Sequence, residues 1–220
     1  MTDPRLGRLV KHDPRSRGFS VPLMAVPTKP VLHKRYAPIW DQGSIGSCVG
    51  NAVLGSLSSH PHWRWWQWWR RYAERDAVSV YSAATKIDDF AGEYPPDDTG
   101  TSFLDAARVL QRRGWIKSYQ WAFGLNATLS ALAVKPVCIG INWYSSFMEP
   151  GASGVLWVAP DAVVEGGHEV VLIGVDPIHQ TVRLANSWGT SWGDRGFGVM
   201  SYDTLDQLLS EQGDAGTFAL

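Results

Sequence analysis

The apolar patterning of this chain changes character at Pro136. Ahead of it the spacing is helical. Cys48-Val-Gly-Asn-Ala-Val-Leu-Gly-Ser-Leu suits a buried helix that Pro61 ends, and residues 63–76, 78–87 and 126–134 read as further helices. Residues 103–113 are the best marked, with Ser102 as N-cap, Asp105 three residues on and Gly114 just past the end. Residues 88–101, dense in Gly, Pro and Asp, read as a loop. Beyond Pro136, short β-favouring runs take over at 137–141, 169–175, 181–185 and 197–201, followed by a helix over 204–212 that Gly213 closes. Helices first and strands second imply an α+β protein, a helical lobe packed on a sheet or barrel lobe. The cleft between two such lobes is where a ligand site tends to form.

Composition narrows the function classes. A 220-residue chain with 45% hydrophobic and 19% charged residues and a formal net charge of -1 has ample material for a core and is not disordered or low-complexity. Its apolar stretches, such as 134–141, are broken by Lys135 and Pro136 and fall short of the roughly 20 residues that span a bilayer. Residues 1–17 are charged throughout and lack the apolar segment of a secretory signal, so a cytoplasmic protein is expected, in a host cell or virion if the chain is phage-encoded. Two cysteines, Cys48 and Cys138, are too few for a disulfide scaffold and have no metal-ligand spacing, so neither metal nor other cofactor is expected.

Charge is unevenly spread. Residues 1–36 hold eight Lys/Arg against two Asp/Glu, whereas residues 136–220 hold two against ten. Pro22, Pro27, Pro30 and Pro38 keep the basic arm extended. Such an arm ahead of an acidic body lies more simply across its own domain than on nucleic acid, and no nucleic-acid partner is expected. The domain plan is then an arm at 1–36 and a single domain at 37–220, its helical lobe ending near residue 125 and its β lobe starting near 126.

Three local patterns stand in a telling order: Gln42-Gly-Ser-Ile-Gly-Ser-Cys48, Gly166-Gly-His168-Glu-Val-Val-Leu, and Asn186-Ser-Trp188-Gly-Thr-Ser-Trp-Gly193. Cys48 precedes His168 by 120 residues and Asn186 by 138, close to the roughly 130 to 150 at which a cysteine nucleophile recruits a downstream His and Asn. This order and spacing resemble the papain-like cysteine peptidases, over most of the chain from about Ala37 to Tyr202. The Asp-Thr-Gly loop before Phe103 is most similar to small bacterial and bacteriophage members. The resemblance implies a two-lobe fold, helical lobe plus antiparallel β-barrel-like lobe, with the site in the cleft between them. It implies a cysteine endopeptidase acting on protein or peptide substrates. Cys48 would be the nucleophile, its thiol acidified at a helix N-terminus beside an imidazolium. His168 would be the acid/base and Asn186 would orient the ring. Trp188 would shield their hydrogen bond, and Gln42 would join the Cys48 N–H in the oxyanion hole. Cys138, by contrast, reads as a small buried hydrophobe.

Departures from the family pattern carry further expectations. Val49 follows the nucleophile where Trp is usual, altering the cleft wall. The paired glycines that hold substrate backbone are reduced to Thr99-Gly100, which makes Gly100 the candidate for that role, with Gly167 on the facing side. Glu169, by strand alternation from His168, is expected to point into the pocket for the second residue before the scissile bond and to favour Lys or Arg there. Only 47 residues precede Cys48, too few for a helical prodomain. His12, His33, His60, His62 and His179, in polar or turn contexts, are expected in solvent.

Rival readings are a phage-type peptidase of cell-wall peptides or isopeptide bonds, and a non-catalytic binding module that keeps the fold. A third arises from twelve tryptophans, five of them within Trp63 to Trp69. On a helical wheel Trp65, Trp66, Trp68, Trp69 and Tyr72 oppose Arg64, Gln67, Arg70 and Arg71. A cationic Trp/Arg helix can dock on a membrane or partner. Packing of the aromatic face on the helical lobe, as an insertion at 60–76, is the favoured reading.

Overall fold

A computed structural model describes residues 3, 5–63 and 71–220. Helix α1 (Cys48–Leu57) is buried along its whole length, as its small and aliphatic residues allow. Helices α2 (Glu74–Thr85) and α3 (Phe103–Arg112) pack beside it. Asp76 opens α2 by accepting the Ala73 N–H at 2.8 Å, and Ser102 opens α3 by accepting the Asp105 N–H at 3.2 Å. Helices α4 (Gly124–Leu132) and α5 (Tyr202–Ser210) belong to the second half of the molecule.

The strands are β1 (Val31–Leu32), β2 (Ser118–Trp121), β3 (Val137–Tyr144), β4 (Val155–Leu156), β5 (Val164–Asp176), β6 (Thr181–Ala185), β7 (Phe197–Ser201) and β8 (Asp214–Ala219). They follow one path, β2-β8-β3-β5-β6-β7-β4, with β1 added to β5; all pairs are antiparallel except β4 with β7. The expected barrel-like lobe is thus an open sheet, with β2 and the two-residue β4 at its ends.

Strand β5 divides the core. Side chains alternate along a strand, so Val170 and Leu172 enter one cluster with α4 and α5, while Val171 and Ile173 enter another with α1, α2 and α3; an irregularity between Leu172 and Gly174 then turns Val175 into the first cluster. That explains a continuous apolar run where one-sided strands alternate. Each buried aliphatic contributes roughly 1.5–3 kcal/mol, and together they lock the strand that carries His168 between the lobes.

Several elements differ from sequence expectation. β3 and β5 extend to Tyr144 and back to Val164 because Gly166 and Gly167 pair with Trp143 and Asn142, although glycine disguises a strand. The expected helix at 63–76 lies largely outside the described residues at 64–70; residues 71–73 are not helical and α2 begins only at Glu74. The arm is extended except for a 3-10 helix at Pro14–Phe19, where proline sits in the first turn and the Asp13 carboxylate accepts the Arg15 N–H at 2.9 Å. His33 and His62 are buried rather than exposed, because backbone carbonyls receive them: His33 Nε2 lies 2.7 Å from Leu132 O, and His62 Nε2 3.2 Å from Phe218 O. No helix among the described residues is long and apolar enough to cross a membrane.

Candidate active site

Cys48 is the first residue of α1, so the partial positive charge of the helix N-terminus falls on its thiol. The loop before it is pinned on both sides. Gly46 N–H donates to Asp98 Oδ2 at 2.9 Å, and Tyr81 Oη donates to Asp98 Oδ1 at 2.5 Å. Gln42 is held by its oxygen, which accepts the Ser187 hydroxyl at 2.6 Å. Its Nε2 is thereby turned inward, donating to Ile45 O at 2.7 Å and to Arg5 O at 3.1 Å.

His168 stands in β5 opposite Ile141, and Asn186 directly follows β6. His168 Nε2 lies 2.8 Å from Asn186 Oδ1. The same Oδ1 accepts the Ser187 N–H at 2.8 Å, which fixes the amide with its oxygen toward the ring. Nε2 therefore carries the proton, and Nδ1 keeps its lone pair. Trp188, 4% exposed, lies over the pair with its ring 4.8 Å from the imidazole. Trp143, wholly buried, meets the same imidazole edge-on at 4.6 Å. Cys48 meets the backbone of Glu169, the residue next to His168, across the lobes.

The N-terminal arm fills the cleft between these groups. Arg5 stacks its guanidinium 4.1 Å from the Trp188 ring centre while its carbonyl takes the Gln42 amide. Gly7 passes against Gly46 and Cys48 so closely that a Cβ at Gly7 would collide with the Gly46 carbonyl. Gly7 O accepts the Thr101 N–H at 2.9 Å, Arg8 N–H donates to Gly167 O at 3.0 Å, and Leu9 N–H donates to Thr101 O at 2.9 Å. The Arg8 side chain runs inward to Asp214, Nη2 to Oδ2 at 2.6 Å.

This cover changes the expected acidities. Burial pushes the Cys48 thiol up to about 12, against smaller lowering contributions from the backbone N–H groups of Glu169, Gly7 and Val49. Burial likewise pushes His168 down to about 4, opposed by its bond to Asn186. With the arm seated, burial therefore favours the neutral form of both the Cys48 thiol and the His168 imidazole.

Gln42, His168, Asn186 and Trp188 converge, and Gly167 faces the arm as a backbone acceptor. Thr99 and Gly100 stand beside the arm's path, but the arm itself pairs with the next residue. The Gly100 N–H is taken by Tyr81 Oη at 3.0 Å, Thr99 is exposed and packs toward Gly92, and the backbone pairing comes from Thr101. Gly100 instead supplies close approach: its φ is +87°, and a Cβ there would strike Gly7 O. Sequence reasoning missed Trp143, Thr101, Ser187, Asp214 and the arm residues Arg5, Gly7 and Arg8. The charge asymmetry between arm and tail was the one signal for Arg8 and Asp214. Among the described residues no group of three or more His, Cys, Asp or Glu side chains could hold a metal ion.

Residues 102–212 match the family model described as papain family cysteine protease, half of the chain and the part that contains His168 and Asn186. The chain belongs to the papain family of cysteine proteases. As a member it is a hydrolase of peptide bonds. Its fold is similar to that of xylellain, a cysteine protease from Xylella fastidiosa, at a TM-score of 0.76 and 20% identity, covering 99% of this chain and 97% of that one. It is similar also to digestive procathepsin L 3 of Tenebrio molitor larval midgut, at a TM-score of 0.68 and 15% identity over 99% and 77% of the two chains. Bromelain from Ananas comosus, solved with the E64 inhibitor, matches at a TM-score of 0.59 and 14% identity over 84% and 94%. A search of curated proteins finds no match.

Proposed function

We propose that this papain-family protein is a cysteine endopeptidase with a Cys48-His168-Asn186 triad, held latent by its own arm. The observation that carries the reading is the 2.8 Å bond from His168 Nε2 to Asn186 Oδ1, which leaves Nδ1 as the base on the side of the ring away from Asn186. Once the arm leaves, water reaches the cleft and the burial that holds Cys48 and His168 neutral is relieved. The Cys48 proton passes to His168 Nδ1, and the thiolate attacks the peptide carbonyl. The Gln42 amide and the Cys48 N–H receive the oxyanion; the Gln42 amide now holds a carbonyl, that of Arg5. The C–N bond breaks as His168 returns the proton to the amine. Water, deprotonated by the same nitrogen, then hydrolyses the thioester and restores the thiol. Gly167 and Thr101, the backbone edges that hold the arm, receive the substrate strand, with Gly100 providing closeness and Glu169 lining the adjoining pocket.

In this reading residues 1–36 are an inhibitory arm and residues 37–220 the peptidase, and two free cysteines suit a reducing cytoplasm. The test is hydrolysis of casein and of a peptide library by the chain with its arm loosened by Arg8→Ala, and by the same chain carrying Cys48→Ala. Turnover that is lost with Cys48 supports the triad. Turnover confined to cell-wall peptides or isopeptides would redirect the substrate class, and no turnover with no labelling of Cys48 would leave a binding module.

A further inference from the structure

We propose that Asp214 and Glu169 form a receptor for an Arg or Lys side chain of the substrate, at the second residue before the scissile bond, with Asp214 as the charged specificity determinant. The inference rests on the peptidase reading above and deepens it.

The pocket is a consequence of sheet register. Gly140 on β3 lies directly opposite both Glu169 on β5 and Asp214 on β8. Residues directly opposite across strands share a face, so two carboxyl groups flank a glycine that has no side chain to separate them. The point where a Gly140 Cβ would stand is 2.6 Å from Glu169 Oε2, 3.0 Å from Asp214 Oδ1 and 2.5 Å from Arg8 Nε. A cation therefore lies where the missing side chain would be.

Arg8 shows what the pocket accepts. Its side chain is 1% exposed and that of Asp214 8%, and Nη2 donates both to Asp214 Oδ2 at 2.6 Å and to Gln212 O at 2.8 Å. Glu169 is 1% exposed, and neither of its oxygens has a hydrogen-bond partner among the described residues. Burial first, then Asp214, pushes its carboxyl well above the usual range, with Arg8 acting against them. Glu169 is thus a buried acid with unused hydrogen-bonding capacity, beside the Asp214 carboxyl group that pairs with Arg8. Removing Arg8 takes from Asp214 its partner in a buried site, beside a Glu169 that has none, which is costly. An apolar side chain would seal them in that condition, whereas a guanidinium or ammonium restores the pair.

Position along the cleft ties the pocket to substrate. Gly7 lies against Cys48, and Arg8, one residue on, is held by Gly167 O and flanked by Thr101 pairing. A substrate strand that uses the same two edges but runs opposite to the arm, with its reactive carbonyl at Cys48, directs the side chain one residue before it into this pocket.

Two measurements on the full chain test the inference. In the first, Cys48 is labelled with iodoacetamide in a series at position 8. Arg8→Lys is expected to keep Cys48 protected, while Arg8→Leu and Arg8→Ala speed labelling at least about tenfold; Arg8→Leu as protective as arginine would overturn the claim that the pocket selects cations. Asp214 stays intact throughout this series, so a folding defect at Asp214 cannot confuse it. In the second, Arg8→Ala, with the pocket vacated, is given a peptide library. Preference for Arg and Lys at the second residue before the cut supports the inference. Cleavage of peptides with Leu or Phe there and rejection of Arg and Lys overturns it, assigns the acids to holding the arm alone and leaves the peptidase reading standing. Cleavage of nothing overturns both.

Discussion

Cys48 and Cys138 are both completely buried, and burial pushes both thiols up, to about 12 at Cys48 and well above the ordinary range at Cys138. The likeness extends to histidines. His168, the residue before the Glu169 that meets Cys48, is held near 4, and His62, bonded to Ser56, which in turn touches Cys138, is held near 4 as well. What differs is the cover. Cys138 sits near the start of β3 against α1, its Sγ donating to Ala52 O at 3.5 Å, so only unfolding exposes it. Cys48 opens α1 and is covered in part by Gly7 of the arm, which the proposed function has leaving while the domain stays folded. On the proposed function, burial and thiol acidity do not separate the reactive cysteine from the inert one; the removability of what buries it does.

The sharpest break between the two is a pair of substitutions. Cys48→Ala is expected to cut hydrolysis by at least about 10⁴-fold, whereas Cys138→Ala keeps turnover and loses about 1 kcal/mol of stability, read by urea unfolding. Equal loss of activity in both would erase the distinction. Asn186→Ala comes next, at roughly 10²-fold in kcat, since the ring loses its orienting acceptor without losing the base.

The histidines give a pH test. Both have folded-state values below the unfolded value of about 6.5, so in the window between the unfolded chain binds more protons and stability falls as pH falls. Full stability is expected above about pH 6.5, with a progressive loss toward pH 4 on the order of 3 kcal/mol for each histidine. Stability constant over that window would contradict the neutral buried state of both rings. The comparison sharpens if the arm is loosened. NMR titration of Gly7→Val should return His168 toward its ordinary value and leave His62 near 4. The smallest effect is expected in labelling: Gly7→Val, whose Cβ meets the Gly46 carbonyl, should speed alkylation of Cys48 about tenfold and leave Cys138 unchanged.

Much of this was legible in residue order because its causes are local. α1, α3, β6 and β7 announce themselves through apolar spacing, a Ser102 cap and turn glycines, and Gln42, Cys48, His168 and Asn186 sit in short motifs. What escaped depends on contacts distant in sequence. Nothing near Asp214 announces that β8 pairs with β3 and brings it beside Gly140, or that Arg8 crosses more than two hundred residues of chain to reach it. The pairing of Thr101 rather than Gly100 with the arm escaped for a related reason, since the Gly100 N–H is claimed by Tyr81 on α2. His33 and His62 look like turn residues by their neighbours and are buried because Leu132 and Phe218 present carbonyls to them.

The central claim is that Cys48 is a nucleophile masked by the arm, and mapping of a covalent epoxide inhibitor tests it most directly. The full chain and its Arg8→Ala variant are incubated with the epoxide, digested and analysed by mass. The account expects one adduct per chain, on Cys48 alone, forming faster in the variant, with hydrolysis lost in step. An adduct on Cys138, or hydrolysis that persists after Cys48 is fully modified, would contradict it.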